Sequence, residues 1–177
     1  SDIGEDGFSS EGRPLNYHYA GMIEYLPALS YLANSGLALK YPKENLLAAF
    51  RMPFQRAALN GLVPSTGDCG LGQRVGPKGL ADEFIAIFPN EDWLYDAGAS
   101  PFTASLAGKK LEREGWMKLL SADPVVFRDA GLAILRSGGT VDTQVMATLD
   151  YGRNVMHGAL DRNQITLTAF GKIFAHG

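Results

Sequence analysis

The chain has 177 residues, of which 46% are hydrophobic and 20% charged. That balance excludes a disordered chain and calls for one full core, or two small ones. A net charge of −3 argues against a general nucleic-acid binder, while leaving room for a locally basic cleft that takes a polyanionic sugar. No apolar run approaches the roughly 20 residues that span a bilayer. Ser1 to Gly12 is acidic and polar, unlike a signal peptide. Cys69 is the single cysteine. It has no internal disulfide partner and is expected to be a small buried hydrophobe.

Up to about Ala122 the pattern is helical. Tyr19, Met22, Ile23, Leu26, Leu29 and Ala33 recur at helical spacing. Gly36 is a plausible stop, and Pro27 should kink or split the helix. Pro42 suits the first turn of a second helix. Leu46, Leu47, Phe50, Phe54 and Ala57 line its face, Pro53 is a bend, and Asn60-Gly61 ends it. A short third helix buries Leu80, Phe84, Ile87 and Phe88 and closes at Pro89. A fourth is expected from Pro101 to Leu120, with Leu106, Leu111 and Leu119 inward. Between the second and third helices, Val63 to Pro77 is glycine-rich and lacks an apolar period. A loop of that length is often functional. Its glycines lack the spacing of a nucleotide-binding loop, and it follows a helix rather than a strand.

After Asp123-Pro124 the period becomes two. Gly131 to Ser137 is an expected strand, with Gly138-Gly139 as a turn. Val145, Ala147, Leu149 and Tyr151 alternate with Met146, Thr148 and Asp150; Ile165, Leu167 and Ala169 alternate with Gln164, Thr166 and Thr168. This predicts antiparallel strands with the first set of each inward and the second outward. Phe170-Gly171-Lys172 turns into a last strand, Ile173 to His176. The fold class read from this is α+β, helical hairpins followed by antiparallel strands, dividing into 1–122 and 123–177. Four strands leave two open edges, so the chain is expected to be a piece of something larger, or to sit against another piece.

Three groups of residues could carry chemistry. The first surrounds the start of the first helix: Glu11, Arg13, Asn16, Tyr17, His18 and Tyr19. A helix N-terminus favours negative charge, and Arg13 and His18 add donors, which suits a carboxylate-bearing ligand. On the alternative reading Asn16 caps the helix, the tyrosines are interfacial core and His18 lies at the surface. The second group is His157, Asp161 and Arg162, read either as part of a site or as turn residues; two ligands do not make a metal centre. The third is Asp68 and Arg74 in the glycine-rich loop. Asp68 with Glu11 raises the alternative of a glycosidase acid/base pair.

Taken in order, these stretches resemble the heparinase II/III-like polysaccharide lyases, which include alginate and glycosaminoglycan lyases. Asp6-Gly-Phe-Ser-Ser-Glu-Gly, followed by Tyr17-His18-Tyr19, is similar to the family's Asp-Gly-x-x-x-Glu-Gly segment. Val63-Pro-Ser-Thr-Gly-Asp68 resembles its Pro-x-x-Gly-Asp loop. Gly131-Leu-Ala-Ile-Leu-Arg136 resembles its Gly-x-x-x-x-Arg strand, and His157-Gly-Ala-Leu-Asp161 its His-Gly-His-x-Asp motif. The resemblance implies an α/α toroid followed by an antiparallel β-sandwich, with 1–122 as the C-terminal part of the first and 123–177 as the first strands of the second.

It also implies β-elimination at a uronic acid. The sugar carboxylate is neutralised, a base removes the C5 proton and an acid protonates the leaving oxygen. Asn16, His18, Tyr19 and His157 would be catalytic, with Tyr17 or Tyr19 as the phenol. Arg13, Arg74 and Arg162 would hold carboxylates, and Glu11, Tyr17 and Asp68 would complete the substrate-binding set. The implied partners are an anionic polysaccharide and the rest of the toroid and sandwich, or another chain; neither nucleic acid nor membrane is implied. The implied setting is periplasmic or secreted. No cofactor is required. Zinc, held by the motif's second histidine in some relatives, meets Ala159 here, with His176 near another ligand position. The loop from Pro64 to Pro77 has no tyrosine, and Tyr17 separates Asn16 from His18. A non-catalytic carbohydrate-binding or assembly piece of the same fold, and a toroid-type glycoside hydrolase, are the alternatives.

Overall fold

A computed structural model describes residues 3–8, 15–37, 42–64, 72–76, 80–152 and 163–176, with 15–17, 175 and 176 as backbone. The fold is α+β. Among the described residues five helices, α1 (Leu15–Asn34), α2 (Lys43–Arg56), α3 (Ala81–Ile87), α4 (Trp93–Asp96) and α5 (Pro101–Leu106), and a 3-10 turn at Gly115–Leu119 precede five strands. The strands are β1 (Val125–Phe127), β2 (Leu132–Ser137), β3 (Val145–Asp150), β4 (Gln164–Ala169) and β5 (Lys172–His176). They form one antiparallel sheet in the order β1-β2-β3-β4-β5. The chain gathers into two compact units. One contains Ser1–Tyr19, Tyr41–Val75 and Leu120–Gly177; the other contains Ala20–Lys40 and Gly76–Leu119.

In the first unit the core is Phe8, Met52, Ala58, Leu62, Phe127, Ala130, Leu132, Ile134 and Met146. The inner face of the sheet supplies Phe127, Leu132, Ile134 and Met146, α2 supplies Met52, and the turn after α2 supplies Ala58 and Leu62. Arg136 on β2 joins the two. Its guanidinium donates to the carbonyls of Gln55 and Ala57, at the C-terminal end of α2, and to Asp123 O at 2.6 Å. Helix-end carbonyls lack intrahelical donors, and a cation there also meets the negative end of the helix dipole. Burial lowers the Arg136 pKa to about 10, opposed by the charge of Asp123; the group stays protonated at neutral pH. The turn after α2 is tied to the sheet as well. Leu59 N donates to Gln144 Oε1 at 2.8 Å, and Asn60 Nδ2 donates to Gly171 O at 3.0 Å.

In the second unit Phe84, Ile85, Phe88, Leu94, Tyr95, Ala97 and Ala104 are buried. Ser100 caps α5 by accepting from Thr103 N, and Asp82 accepts from Ser100 N at 2.9 Å. α1 closes as expected near Gly36. With φ at +71, Gly36 N donates to Ala33 O and Leu37 N to Leu32 O, the paired bonds of a left-handed helix stop.

Several expectations are corrected. The helix expected from Pro101 to Leu120 stops at Leu106, and Leu106 is 75% exposed. Ala107-Gly108, with φ +65 at the glycine, ends it. The helix α4 and the strand β1 were not expected; each is four residues or fewer, too short for periodicity to register. α1 and α2 run through Pro27 and Pro53 as single elements, so neither proline splits its helix. Ile23 is exposed rather than inward. The glycine-rich loop is pinned at its base, where Leu62 and Arg74 form an antiparallel bridge. Val63 N donates to Gln73 O and Val75 N to Gly61 O.

The largest correction concerns the sheet. Its alternation is as expected, but its faces are exchanged. Met146, Thr148, Asp150, Thr166 and Thr168 are buried, whereas Val145, Leu149, Tyr151, Ile165 and Leu167 are exposed. The pairing shows why. Leu132, Ile134 and Arg136 stand opposite Asp150, Thr148 and Met146. Once β2 turns Leu132 and Ile134 onto α2, the register carries the polar residues of β3 and β4 inward with them.

Candidate functional site

Residues 3–8 are held by polar contacts, two of them to the turn before β2. Asp6 Oδ1 accepts from Phe8 N at 3.3 Å, and Asp6 Oδ2 accepts from Ala130 N at 3.0 Å in the turn before β2. Asp129 Oδ2 accepts from Glu5 N at 2.9 Å. Gly7 has φ +82 and lies so close to α2 that a Cβ would overlap the backbone of Ala48. The Asp6-Gly7 pair is thus explained by geometry: the carboxylate joins two loops, and the glycine admits the helix. Gly131 has the same character. Its φ is +67, and a Cβ would strike Gly152 Cα, while its carbonyl accepts from Tyr151 N. Both ends of the Gly-x-x-x-x-Arg stretch are therefore structural in this fold.

Phe8 leads into a buried aromatic and basic cluster. Its ring lies 5.2 Å from that of Phe127, and the Arg56 guanidinium stands 5.3 Å from its centroid. His18 and Tyr19 are the sequence candidates that this cluster holds together. Their rings are 5.9 Å apart and both residues are buried, His18 to 1% exposure. His18 is therefore not a surface residue. Its Nε2 lies 2.8 Å from the carbonyl of Ala49 on α2. A carbonyl only accepts, so Nε2 carries the proton and Nδ1 holds the lone pair. Nδ1 has no hydrogen-bond partner among the described residues.

Burial lowers the His18 pKa to about 4; the carbonyl bond opposes this and the Arg56 charge adds to it. The ring is neutral at physiological pH. Burial raises the Tyr19 pKa, against the opposing charge of Arg56, so the phenol keeps its proton. Arg56 itself, 1% exposed, was missed by sequence reasoning. The available signal was an arginine followed by Ala57-Ala58-Leu59 and two positions after the apolar Met52-Pro53-Phe54 run, at the end of a largely apolar helix face.

The inner sheet face adds a second polar surface in the same unit. Thr148 stands opposite Thr166, and Asp150 opposite Gln164. The hydroxyls of Thr148 and Thr168 find no hydrogen-bond partner among the described residues although both side chains are buried. Sequence reasoning missed this face because it assigned these residues to solvent.

Arg74 is exposed, and its Nη1 donates to Asn60 O at 2.7 Å, bracing the loop base. Asn16 and Tyr17 lie in the first turn of α1, described there as backbone. Glu11, Arg13, Asp68, Cys69, His157, Asp161 and Arg162 lie outside the described residues. Among the described residues no three His, Cys, Asp or Glu side chains form a group able to hold a metal ion. No described helix is long and apolar enough to cross a membrane.

Comparison with known proteins gives a fold likeness. No family model matches the chain, and no curated protein matches its sequence. Among solved structures, a heparinase III gene product with methylated lysines superposes with a TM-score of 0.59 at 16% identity. The match covers 97% of this chain and 25% of the other. The chain thus has a heparinase-like fold, and it spans about a quarter of the length of that neighbour.

Proposed function

We propose that the chain is part of a polysaccharide lyase that cleaves a uronic-acid-containing polysaccharide by β-elimination. The fold likeness to a heparinase III carries this reading, and the state of His18 supports it. A neutral imidazole with Nε2 anchored to Ala49 presents Nδ1 as a proton acceptor. In that tautomer its role is to take the C5 proton, not to donate to the sugar carboxylate. Neutralising the carboxylate then falls to Asn16 and to the arginines Arg13, Arg74 and Arg162, with His157 completing the site. The protonated phenol of Tyr19, or that of Tyr17, is the acid for the leaving oxygen. The C5–H electrons form the C4–C5 double bond as the C4–O bond breaks. Glu11 and Asp68 bind sugar hydroxyls. No cofactor takes part in these steps. The setting is periplasmic or secreted.

In this proposal 1–122 belong to an α/α toroid and 123–177 to one layer of a β-sandwich. The exchanged sheet faces support the second half. The outer face carries Val126, Leu135, Val145, Leu149, Ile165, Leu167 and Phe174, all exposed; β2, β3 and β4 put no charged residue on it, and β5 puts Lys172 there, opposite Ala169. Together they expose on the order of 600 Å² of apolar surface, at the upper end of what a soluble monomer leaves as one patch. A second sheet laid across it is the ordinary way such a face is buried.

The test is incubation with uronate polysaccharides, following the ultraviolet absorbance of the new double bond. Activity is expected, and His18→Gln and His157→Ala should each abolish it with helical content unchanged. Full activity in both variants, or a saturated product, refutes the assignment. A saturated product would indicate hydrolysis, and bound but uncut ligand a non-catalytic piece.

A further inference from the structure

The second unit contains a cavity of about 390 Å³ lined by Tyr95, Asp96, Ala99, Glu112, Arg113 and Trp116, among others. That volume falls within the range of small-ligand sites, about 300–1,000 Å³. Its floor is the buried pair Tyr95 and Ala99. Gly98, with φ +133, turns the chain between them, an angle that few residues other than glycine adopt. The opposite wall is the 3-10 turn with Trp116. The two walls meet at Gly115, where a Cβ would come within 2.7 Å of Asp96 Oδ1.

Charge pairing around the cavity is uneven. Lys118 bonds Glu112 at 2.8 Å and lies 3.9 Å from Asp96. Lys109 bonds Asp92 at 2.8 Å, with its ammonium 5.8 Å from the Tyr95 ring. The acidic groups at this site therefore have lysine partners. Arg113, exposed on the rim, makes no hydrogen bond or ion pair with any described residue.

We propose that this cavity is a subsite for a pyranose ring bearing a carboxylate. The half-buried Trp116 indole offers a flat apolar face to the ring, and the free guanidinium of Arg113 can take a carboxylate in two parallel hydrogen bonds. Asp96 and Glu112 accept from sugar hydroxyls and would oppose a doubly charged phosphate more strongly than a single carboxylate. The proposal rests on the lyase reading only for the source of the sugar. The subsite lies on different residues from the elimination chemistry.

The chain has two tryptophans, so Trp93→Phe leaves Trp116 as the sole indole reporter. Its fluorescence is titrated with an oligoglucuronate and with the carboxyl-reduced, neutral form of the same oligosaccharide. A saturable change is expected with the acidic ligand. Affinity should fall at least tenfold for the neutral one and in Arg113→Gln, and calorimetry should show binding lost in Trp116→Ala. No saturable change, or equal affinity for the two ligands and for Arg113→Gln, overturns the proposal. Elimination is measured separately. A chain that binds at Trp116 without eliminating keeps the subsite and loses the lyase assignment. A chain that eliminates with KM unchanged in Arg113→Gln does the reverse.

Discussion

Acidification should destabilise this protein through His18 in particular. In the fold its pKa is about 4, against the ordinary 6.5, chiefly because burial disfavours the charged ring. The unfolded chain therefore binds the proton first, and stability is lost as pH falls from about 6.5 toward 4. Integrated over the whole window, the difference is worth about 3 kcal/mol; between about pH 7.5 and pH 5 it is about 2 kcal/mol. Urea unfolding at both pH values, followed by circular dichroism, measures the loss. Carboxylates also titrate as pH falls, so the comparison is with His18→Gln, whose amide can still donate to Ala49 O but does not titrate. The wild type should lose about 2 kcal/mol more than the variant over that interval. Parallel losses in the two proteins would falsify the buried, neutral assignment, and with it the tautomer on which the proton-acceptor role depends.

Two further outcomes follow from the packing. Arg136→Met should cost about 3 kcal/mol, because the carbonyls of Gln55, Ala57 and Asp123 lose a buried donor; an unfolding midpoint unchanged in urea would refute the clamp between α2 and the sheet. Gly131→Ala should cost about 3 kcal/mol or more, since the methyl group meets backbone at Gly152 and φ is positive. A thermal melt matching the wild type would show that the contact relaxes.

Local chemistry was legible along the chain. The stop of α1 at Gly36, the turn at Phe170-Gly171 and the strand alternation from Val145 to Ala169 each depend on neighbours a few residues away, through backbone angles and side-chain period. The α+β class followed from the change of period near Pro124. His18 and Tyr19 were legible as a pair because they are adjacent. The burial of His18 was not, because it depends on Ala49 and Arg56, roughly thirty or more positions away, whereas Tyr19 already stood in the apolar helical pattern.

The sheet marks the boundary between the two kinds of information most clearly. Alternation of period two separates two faces but does not say which one meets the core. Both faces of β3 and β4 held side chains that could be buried, and the more apolar one was chosen from sequence. The contact of Leu132 and Ile134 with α2 made the opposite choice, and strand register spread it to Thr148, Thr166 and Thr168. Sequence by itself determined the period and the positions of the turns, because those are properties of neighbouring residues. Only tertiary structure decided which side of the sheet is inside, which groups surround His18 and where a cavity opens beside Trp116, because each depends on surfaces brought together from distant parts of the chain.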